Sequence, residues 1–159
     1  MIAVVGVGSN VGDRAAHLRE AIEQLTMLAG VRASRTSPIY ETAPVGGPPQ
    51  GDFLNAAVRL ELDPPRSARS LVAALLAIEE QLGRVRTERF APRTIDLDLL
   101  WTDGPPSAHD DATVPHPRLH ERAFALQPLV DVAPEARAPD GTRYADLLAR
   151  LDRSGIRAL

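Results

Sequence analysis

The chain has neither cysteine nor lysine among its 159 residues. The lack of cysteine excludes disulfides, zinc-thiolate sites, iron-sulfur clusters and thiol catalysis. The lack of lysine excludes the P-loop and the protein-kinase type of nucleotide site, because both need a lysine that reaches the phosphates. All 18 basic residues are arginine, so any nucleotide chemistry would depend on arginine and metal ions. Genomic composition alone is the simpler explanation of the arginine bias itself.

Signals for secretion and membrane insertion are also missing. Residues 1–6 lack the basic and long apolar regions of a secretory signal, and no apolar run approaches transmembrane length. The length and the 44% hydrophobic content predict one domain over residues 1–159 with a single buried core. A net charge of −3 gives no uniformly basic surface for nucleic acid. We therefore expect a cytoplasmic monomer that binds neither membranes nor nucleic acids.

The spacing of the apolar residues predicts a β-α-β-β-α-β order. The expected strands cover residues 2–7, 31–37, 53–62 and 95–101, and the expected helices begin at Asp13 and at 63–65 and end at Gly30 and Gly83. This order predicts an α+β fold with a ferredoxin-like core, an antiparallel sheet with packed helices. Further along the chain we expect a turn-rich insertion at 103–111 and short helices at 118–127 and 144–151.

Residues 53–62 form two strictly alternating sets, namely Leu54, Ala56, Val58, Leu60 and Leu62 against Phe53, Asn55, Ala57, Arg59 and Glu61. This alternation predicts that Leu54 and Val58 face the core and that Phe53 and Asn55 lie side by side on the other face. A phenylalanine normally belongs to the core. An aromatic ring beside a polar amide is nevertheless what a flat heteroaromatic ligand needs.

Asp96 and Asp98 alternate with Ile95, Leu97, Leu99 and Trp101, which predicts both carboxylates on one strand face and these four apolar residues on the other. Their Cα atoms would be roughly 6.5 to 7 Å apart. Carboxylates so close repel each other unless a hard cation with phosphate ligands neutralises them. A bare pair of acids on an amphipathic strand more often simply faces water. Here, arginines able to bind a polyphosphate precede the pair at positions 84, 86, 89 and 93.

Three further features each have a plain structural explanation. Arginines in a loop that follows a helix are often solvated and favoured by the helix dipole. His116 is either an ordinary loop histidine or a contact to phosphate or adenine. The glycines at 6, 8 and 12 suggest a dinucleotide fingerprint, but the last spacing is one residue too long, and a tight strand-to-helix turn suffices to explain them.

The residues around the aspartate pair belong to a longer pattern. Residues 89–100, RFAPRTIDLDLL, resemble the signature of the hydroxymethyldihydropterin pyrophosphokinases, whose core is Pro-Arg-x-x-Asp-aliphatic-Asp. Other blocks similar to that family occur in the family's order: GSN at 8–10, YET at 40–42, FLNAA at 53–57, GRVR at 83–86, VPH at 114–116, RAF at 122–124 and PL at 128–129. The resemblance covers nearly the whole chain.

This resemblance implies an enzyme of folate biosynthesis that transfers pyrophosphate from ATP to the hydroxymethyl group of 6-hydroxymethyl-7,8-dihydropterin and releases AMP. Asp96 and Asp98 would hold two Mg²⁺ ions, and Arg84 and Arg93 would stabilise charge on the transferred group and the leaving AMP. The implied ATP site consists of Glu79, Arg86, Arg89, Arg93, Thr113, His116 and Arg122. The implied pterin site consists of Thr42, Ala43, Pro44, Val45, Phe53, Asn55, Phe90 and Phe124.

In the implied pterin site the ring would lie between Phe53 and Phe124, with Phe90 closing over it. Members of the family commonly have tyrosine at position 53 and tryptophan at position 90, so this chain differs at both. It also has Leu76 and Pro117 where polar or aromatic residues can contact the nucleotide. The loops at 43–51 and 84–93 are the expected lids.

Two other functions are compatible with the same elements. A ferredoxin-like domain can be a non-catalytic ligand sensor, and an aspartate pair can belong to a metal-dependent nuclease. A sensor would not require arginines beside the carboxylates, whereas here they adjoin in sequence. A nuclease would need a basic face for nucleic acid, whereas this chain is net acidic.

Overall fold

The computed structural model describes residues 1–44, 47–83 and 94–159. No helix within these ranges is long and apolar enough to cross a membrane. The elements are β1 (Ile2–Ser9), α1 (Arg14–Thr26), β2 (Val31–Thr36), β3 (Tyr40–Thr42), β4 (Phe53–Leu62), α2 (Ala68–Gln81), β5 (Asp96–Thr102), β6 (Ser107–His109), β7 (Ala112–Val114), a 3-10 helix (Leu119–Glu121), α3 (Ala123–Val132), α4 (Tyr144–Ala149) and β8 (Ile156–Ala158).

The main sheet has the strand order β5-β1-β4-β3-β8, and β2 also pairs with β4. All of these pairings are antiparallel. β1 lies between β5 and β4, and its residues Ala3, Val4 and Val5 are fully buried, as expected for a strand covered on both faces. With two helices inserted between the strands, this is the α+β, ferredoxin-like arrangement that the sequence predicted.

Side-chain caps set the starts of the first two helices. Asp13 accepts a hydrogen bond from the amide of Ala16 at 3.1 Å, as its position before the apolar stripe predicted. Ser67 does the same for α2 by accepting from the amide of Ser70 at 3.1 Å. The predicted start of α2 at residues 63–65 is therefore wrong. The amide of Asp63 instead donates to the carbonyl of Gly30 at 2.9 Å, which ties the end of β4 to the turn between α1 and β2. α1 ends at Thr26, so its predicted end at Gly30 is also wrong.

The sheet carries an apolar cluster on each face, so the prediction of a single core is wrong. On one face, Leu18 and Leu25 of α1 and Leu71 and Leu75 of α2 pack against Val5. On the other face, α3 packs against the sheet and α4 packs against α3, and the cluster includes Val4, Ala57, Leu126, Leu129 and Leu148. The alternation predicted that Ala57 lies on the face away from the core. Ala57 is instead fully buried, because the second cluster covers that face.

A bulge in β5 changes which face its last residues occupy. Val5 pairs with Leu99 but Val4 pairs with Trp101, so Leu100 is an extra residue. Leu97 and Leu99 belong to the α1-α2 cluster, while Leu100 and Trp101 belong to the α3-α4 cluster. The predicted position of Trp101 on the face of Leu97 is therefore wrong. Asp96 and Asp98 precede the bulge and keep the predicted alternation.

Several short elements also differ from the predictions. The predicted turn-rich insertion at 103–111 contains β6, which pairs with β7 in a separate two-stranded hairpin. The helix predicted at 118–127 is a 3-10 turn followed by α3, which runs through Pro128 to Val132 at the cost of one intrahelical hydrogen bond. The separate strand β3 and the C-terminal strand β8 were not predicted, because strands of three residues carry too little periodicity.

Candidate active site

A cavity of about 290 Å³ opens on the α3 face of the sheet. This volume is near the lower end of ligand pockets, roughly 300 to 1,000 Å³, and suits a small heterocycle. Most of the described residues that the sequence analysis assigned to the site line it: Thr42, Ala43, Pro44, Phe53, Asn55, Asp96, Asp98, His116, Arg122 and Phe124. A second cleft, of about 540 Å³, has no carboxylate among the described residues that line it. Paired acids, a histidine and an arginine therefore make the first cavity the candidate site.

Gly8 connects the two halves of this cavity. It pairs with Asn55 on β4 and with Asp96 on β5, so these three residues form one row across the sheet. Since neighbouring strands are about 4.8 Å apart, the Asn55 and Asp96 backbones are separated by about 10 Å. Gly6 stands in the same way between Ala57 and Asp98. Because Gly6 and Gly8 have no side chains, nothing at these two positions fills the cavity between the Asn55 amide and the carboxylates of Asp96 and Asp98.

Gly6 and Gly8 are cavity residues that the sequence analysis missed. It assigned them to a tight turn, whereas both lie inside β1 and line the cavity. A signal was available, because glycine inside a strand often marks a close approach by a ligand or another chain segment. A Cβ on Gly6 would meet the side chain of Leu100 at 3.2 Å. The neighbours of these glycines on β4 and β5 explain why no side chain fits there. These neighbours are known only once the register of the strands is known.

The β3-β4 hairpin orients the amide side of the cavity. Nδ2 of Asn55 donates to Oγ1 of Thr42 at 2.7 Å, which leaves Oδ1 as the acceptor on the Gly8 side. Gln50, another lining residue that the sequence analysis missed, accepts a hydrogen bond from Nδ2 of Asn10 at 2.7 Å through Oε1. The same Asn10 amide donates to the carbonyl of Gly51 at 3.2 Å. The turn after β1 therefore supports the end of the hairpin loop.

Arg122 brings positive charge to the carboxylate side. Its Nε is buried and has no hydrogen-bond partner in the described part of the chain. Burial and then the nearby Arg118 lower the pKa of Arg122, while Asp98 and Asp96 act in the opposite direction. The guanidinium carbon lies 5.7 Å from the ring centroid of Phe124, within the range of a cation-π contact. A buried donor without a partner is costly, so this arginine fits a site for an anionic ligand.

His116 is held as a neutral ring. Burial, followed by the charge of Arg122, lowers the pKa of His116 below its ordinary value, so it is uncharged at neutral pH. Its Nδ1 accepts a hydrogen bond from the amide of Arg118 at 3.2 Å. The remaining proton of the neutral ring is therefore on Nε2. His116 can donate one hydrogen bond into the cavity.

The other predicted site residues are placed elsewhere or lie outside the described residues. Glu79 is 2% exposed on the α2 side of the sheet, and its Oε2 accepts from the amide of Leu97 at 2.8 Å. Thr113 is exposed in β7 and donates to the carbonyl of His109 at 2.9 Å. Neither lines the cavity. The predicted site residues Val45, Arg84, Arg86, Arg89, Phe90 and Arg93 fall outside the described ranges.

The acidic side of the cavity suits a cation that shares its ligands with a phosphate. Asp96 and Asp98 line the cavity from one strand. In residues 1–44, 47–83 and 94–159, no three His, Cys, Asp or Glu side chains are grouped to hold a metal ion. A closed site made entirely of protein ligands is thus not formed by these residues. Two carboxylates do suit Mg²⁺, which usually takes one or two protein carboxylates together with phosphate oxygens and water.

Comparison with known proteins connects this geometry to a family. The family described as 7,8-dihydro-6-hydroxymethylpterin-pyrophosphokinase (HPPK) matches residues 4–134. The 2-amino-4-hydroxy-6-hydroxymethyldihydropteridine pyrophosphokinase of Methylorubrum extorquens is 42% identical over 154 residues, which is 97% of this chain and 96% of the relative. The protein with the same name from Bacillus subtilis is 38% identical over 98% of this chain and 89% of its own length.

Solved structures agree with the fold. The wild-type Plasmodium falciparum HPPK-DHPS with SDX-DHP superposes with a TM-score of 0.68 at 15% identity, over 99% of this chain and 47% of the solved chain. The chain thus spans about half of that protein, and at this identity the likeness shows the fold alone. The family match and the relatives at about 40% identity are the stronger findings. They show that the chain belongs to the 7,8-dihydro-6-hydroxymethylpterin-pyrophosphokinase family.

Proposed function

We propose that this protein transfers the pyrophosphoryl group of ATP to the hydroxymethyl oxygen of 6-hydroxymethyl-7,8-dihydropterin, as the name of its family describes. The observation that carries the proposal is the row Asn55, Gly8 and Asp96 across three neighbouring strands. It puts an amide for a heterocycle and a carboxylate for a metal-bound phosphate about 10 Å apart on one open floor. A pterin at the Asn55 end would direct its hydroxymethyl group toward the aspartates.

The pterin half of the site consists of the hairpin and the start of α3. Oδ1 of Asn55 accepts a hydrogen bond from the polar edge of the ring, and the backbone of Ala43 and Pro44 provides further contacts there. Phe53 and Phe124 both line the cavity, and we propose that they stack on the two faces of the ring. Phe90 and Val45 stay predictions for the same half of the site.

The nucleotide half of the site neutralises the polyphosphate. Asp96 and Asp98 would hold two Mg²⁺ ions, and these ions would offset the negative charge of the phosphates when bound. Arg122 would donate to a phosphate through its buried Nε, and His116 would donate through Nε2. Arg84 and Arg93 would stabilise the transferred group and the leaving AMP. Roles in ATP binding for Glu79, Arg86, Arg89 and Thr113 stay predictions.

The reaction balances as a single displacement. The hydroxymethyl oxygen bonds to the β-phosphorus of ATP, and the bond between the β-phosphorus and the oxygen that bridges to the α-phosphate breaks. AMP leaves with that bridging oxygen, the hydroxyl proton is released, and the pterin diphosphate forms. The protein's contribution is to position the two substrates and to offset their negative charge.

The test is the formation of AMP from ATP and Mg²⁺ with and without the reduced pterin. We expect AMP and pterin diphosphate in equal amounts when both substrates are present, and neither product when the pterin is left out. A ligand sensor would bind the pterin without forming AMP, and a nuclease would release nucleotides from nucleic acid instead. Either of these results, or ADP as the nucleotide product, would overturn the proposal.

A further inference from the structure

Two arginines from distant parts of the chain bridge the same two residues at the mouth of the β3-β4 hairpin. Nη1 of Arg14, the first residue of α1, lies 2.9 Å from Oε2 of Glu41 and donates to the carbonyl of Asp52 at 2.9 Å. Nη2 of Arg157, in β8, lies 2.6 Å from Oε1 of Glu41 and 3.4 Å from Oδ2 of Asp52. We call Arg14, Glu41, Asp52 and Arg157 the hairpin cluster.

The hairpin cluster lies at the short ladder between β3 and β4, and this ladder forms the Asn55 side of the cavity. Strands β3 and β4 share three residue pairs, namely Tyr40 with Asn55, Glu41 with Leu54 and Thr42 with Phe53. Thr42, Phe53 and Asn55 all line the cavity. So short a ladder is weak by itself. The distance between its two arms therefore depends on additional contacts.

The hairpin cluster supplies such contacts from both sides. Glu41 and Arg157 are direct cross-strand partners on β3 and β8, the arrangement in which opposite charges attract most effectively in a sheet. Arg14 approaches the same glutamate from α1. Each carboxylate oxygen of Glu41 is thus engaged by a different arginine. With a side chain only 22% exposed, Glu41 is also less screened by solvent than an ordinary surface ion pair.

We infer that Arg14 and Arg157 are positioning residues for the pterin half of the site. By joining Glu41 to Asp52, they hold Thr42 on one arm and Phe53 on the other at the spacing that a pterin needs. Neither arginine lines the cavity, so they act through the hairpin and not on the ligand. The inference rests on the proposed function, and it makes the C-terminal strand β8 part of the support of the site.

Steady-state kinetics of Arg14→Ala and Arg157→Ala test this role. Because each variant removes only one of the two arginines that engage Glu41, we expect the KM for the pterin to rise about three- to tenfold in each variant. The KM for ATP and kcat at saturating pterin should stay within about twofold of wild type. Arg157→Lys should restore part of the pterin affinity, because it keeps the charge but not the fork that reaches both partners.

Arg153→Ala is the matched control. Arg153 is an exposed arginine of the same C-terminal segment, and its Nη1 donates to Oε1 of Gln127 on α3 at 3.3 Å, outside the hairpin cluster. This variant should behave as wild type. The inference is overturned if the pterin KM is unchanged in both cluster variants, if the ATP KM rises equally, or if Arg153→Ala produces the same change.

Two further measurements separate this inference from the proposed function. In a Glu41→Gln background, Arg157→Ala should add little to the pterin KM, whereas independent effects that multiply would contradict the cluster. Hydrogen exchange of the β3 amides and the first β4 amides should be faster in Arg157→Ala, which is measurable without turnover. A wild-type protein that forms no AMP would sink the proposed function. If the wild-type protein forms AMP, but hydrogen exchange and the pterin KM are unchanged in the variants, this inference alone is overturned.

Discussion

A Cβ on Gly8 would lie 2.9 Å from Oδ1 of Asn55. The amide of Asn55 cannot turn away freely, because its Nδ2 donates to Thr42 at 2.7 Å. Gly8→Ala must therefore break that hydrogen bond or displace β1 from β4. We expect the free energy of unfolding to fall by about 1 to 3 kcal/mol, the typical cost of overpacking. We expect pterin affinity to fall about tenfold or more, because Oδ1 of Asn55 is displaced.

The measurement for Gly8→Ala is calorimetric titration with a pterin analogue in the presence of Mg²⁺ and a non-hydrolysable ATP analogue. Gly104→Ala is the control, because its nearest neighbour is Oγ1 of Thr102 at 3.6 Å, an ordinary contact. Gly104→Ala should bind as wild type does. Wild-type pterin affinity in Gly8→Ala would show that Asn55 does not hydrogen-bond to the pterin.

Asp96→Ala and Asp98→Ala should each reduce turnover by at least about a hundredfold, because the polyphosphate would lose the carboxylates that hold its metal ions. Both side chains lie on the cavity floor and not in an apolar cluster, so we expect the variants to remain folded. The check is the rate of AMP formation over a Mg²⁺ titration, together with circular dichroism. A folded variant with a near wild-type rate would remove the basis for assigning metal binding to this pair.

The parts of the site that the sequence could predict follow from the two-residue period of a strand. That period places Phe53 with Asn55, and Asp96 with Asp98, without any knowledge of neighbouring strands. It fails at Leu100, because a bulge depends on how β5 pairs with β1 and leaves no mark in the apolar pattern. Trp101 was placed on the wrong face for this reason.

The remaining features depend on contacts between residues far apart in the chain. Gly8 matters because of its pairing with Asn55 and Asp96, and Arg157 matters because β8 pairs with β3. Neither pairing can be read from local propensity. A strand as short as Ile156–Ala158 is stabilised by its partner more than by its own sequence. Sequence patterns therefore predicted the side chains that line the cavity better than the residues that support them.

The two tyrosines of the chain, Tyr40 and Tyr144, should ionise late in the folded protein. Burial is the largest cause that raises the pKa of each from 10.0 to about 12, and the hydroxyl of Tyr40 also donates to the carboxylate of Asp131. Between pH 10 and pH 12, the hydroxyls of both tyrosines are deprotonated in the unfolded chain but still protonated in the folded chain. The free energy of unfolding should therefore fall as the pH rises from about 10 to about 12.

Ultraviolet titration of tyrosinate and denaturant unfolding over this alkaline range measure both effects. Tyr40→Phe removes one of the two groups, so the pH dependence of its stability should be shallower than that of wild type. The Tyr40→Phe variant should also be less stable than wild type at neutral pH by about 1 kcal/mol, because the hydrogen bond to Asp131 is lost. Tyrosine ionisation near 10 in the folded wild-type protein would contradict the assigned environments.

Phe53 and Phe124 should each contribute to pterin affinity by stacking, at about 1 kcal/mol per ring beyond burial. Phe53→Ala should weaken the binding of a pterin analogue about tenfold and leave ATP binding unchanged. Phe124→Ala should weaken pterin binding similarly and ATP binding to a smaller extent, because the guanidinium of Arg122 lies 5.7 Å from this ring and would lose its contact.

The matched control for the two rings is Phe53→Tyr, which keeps the stacking surface and adds the hydroxyl that other members of the family commonly have. We expect its pterin affinity to stay within about twofold of wild type, because position 53 is half-buried at the cavity edge and a hydroxyl there can reach solvent. Calorimetry with the same ternary mixture compares all three variants. If Phe53→Ala and Phe124→Ala both bound the pterin like wild type, the rings would be packing residues, and the heterocycle would have to lie elsewhere in the cavity.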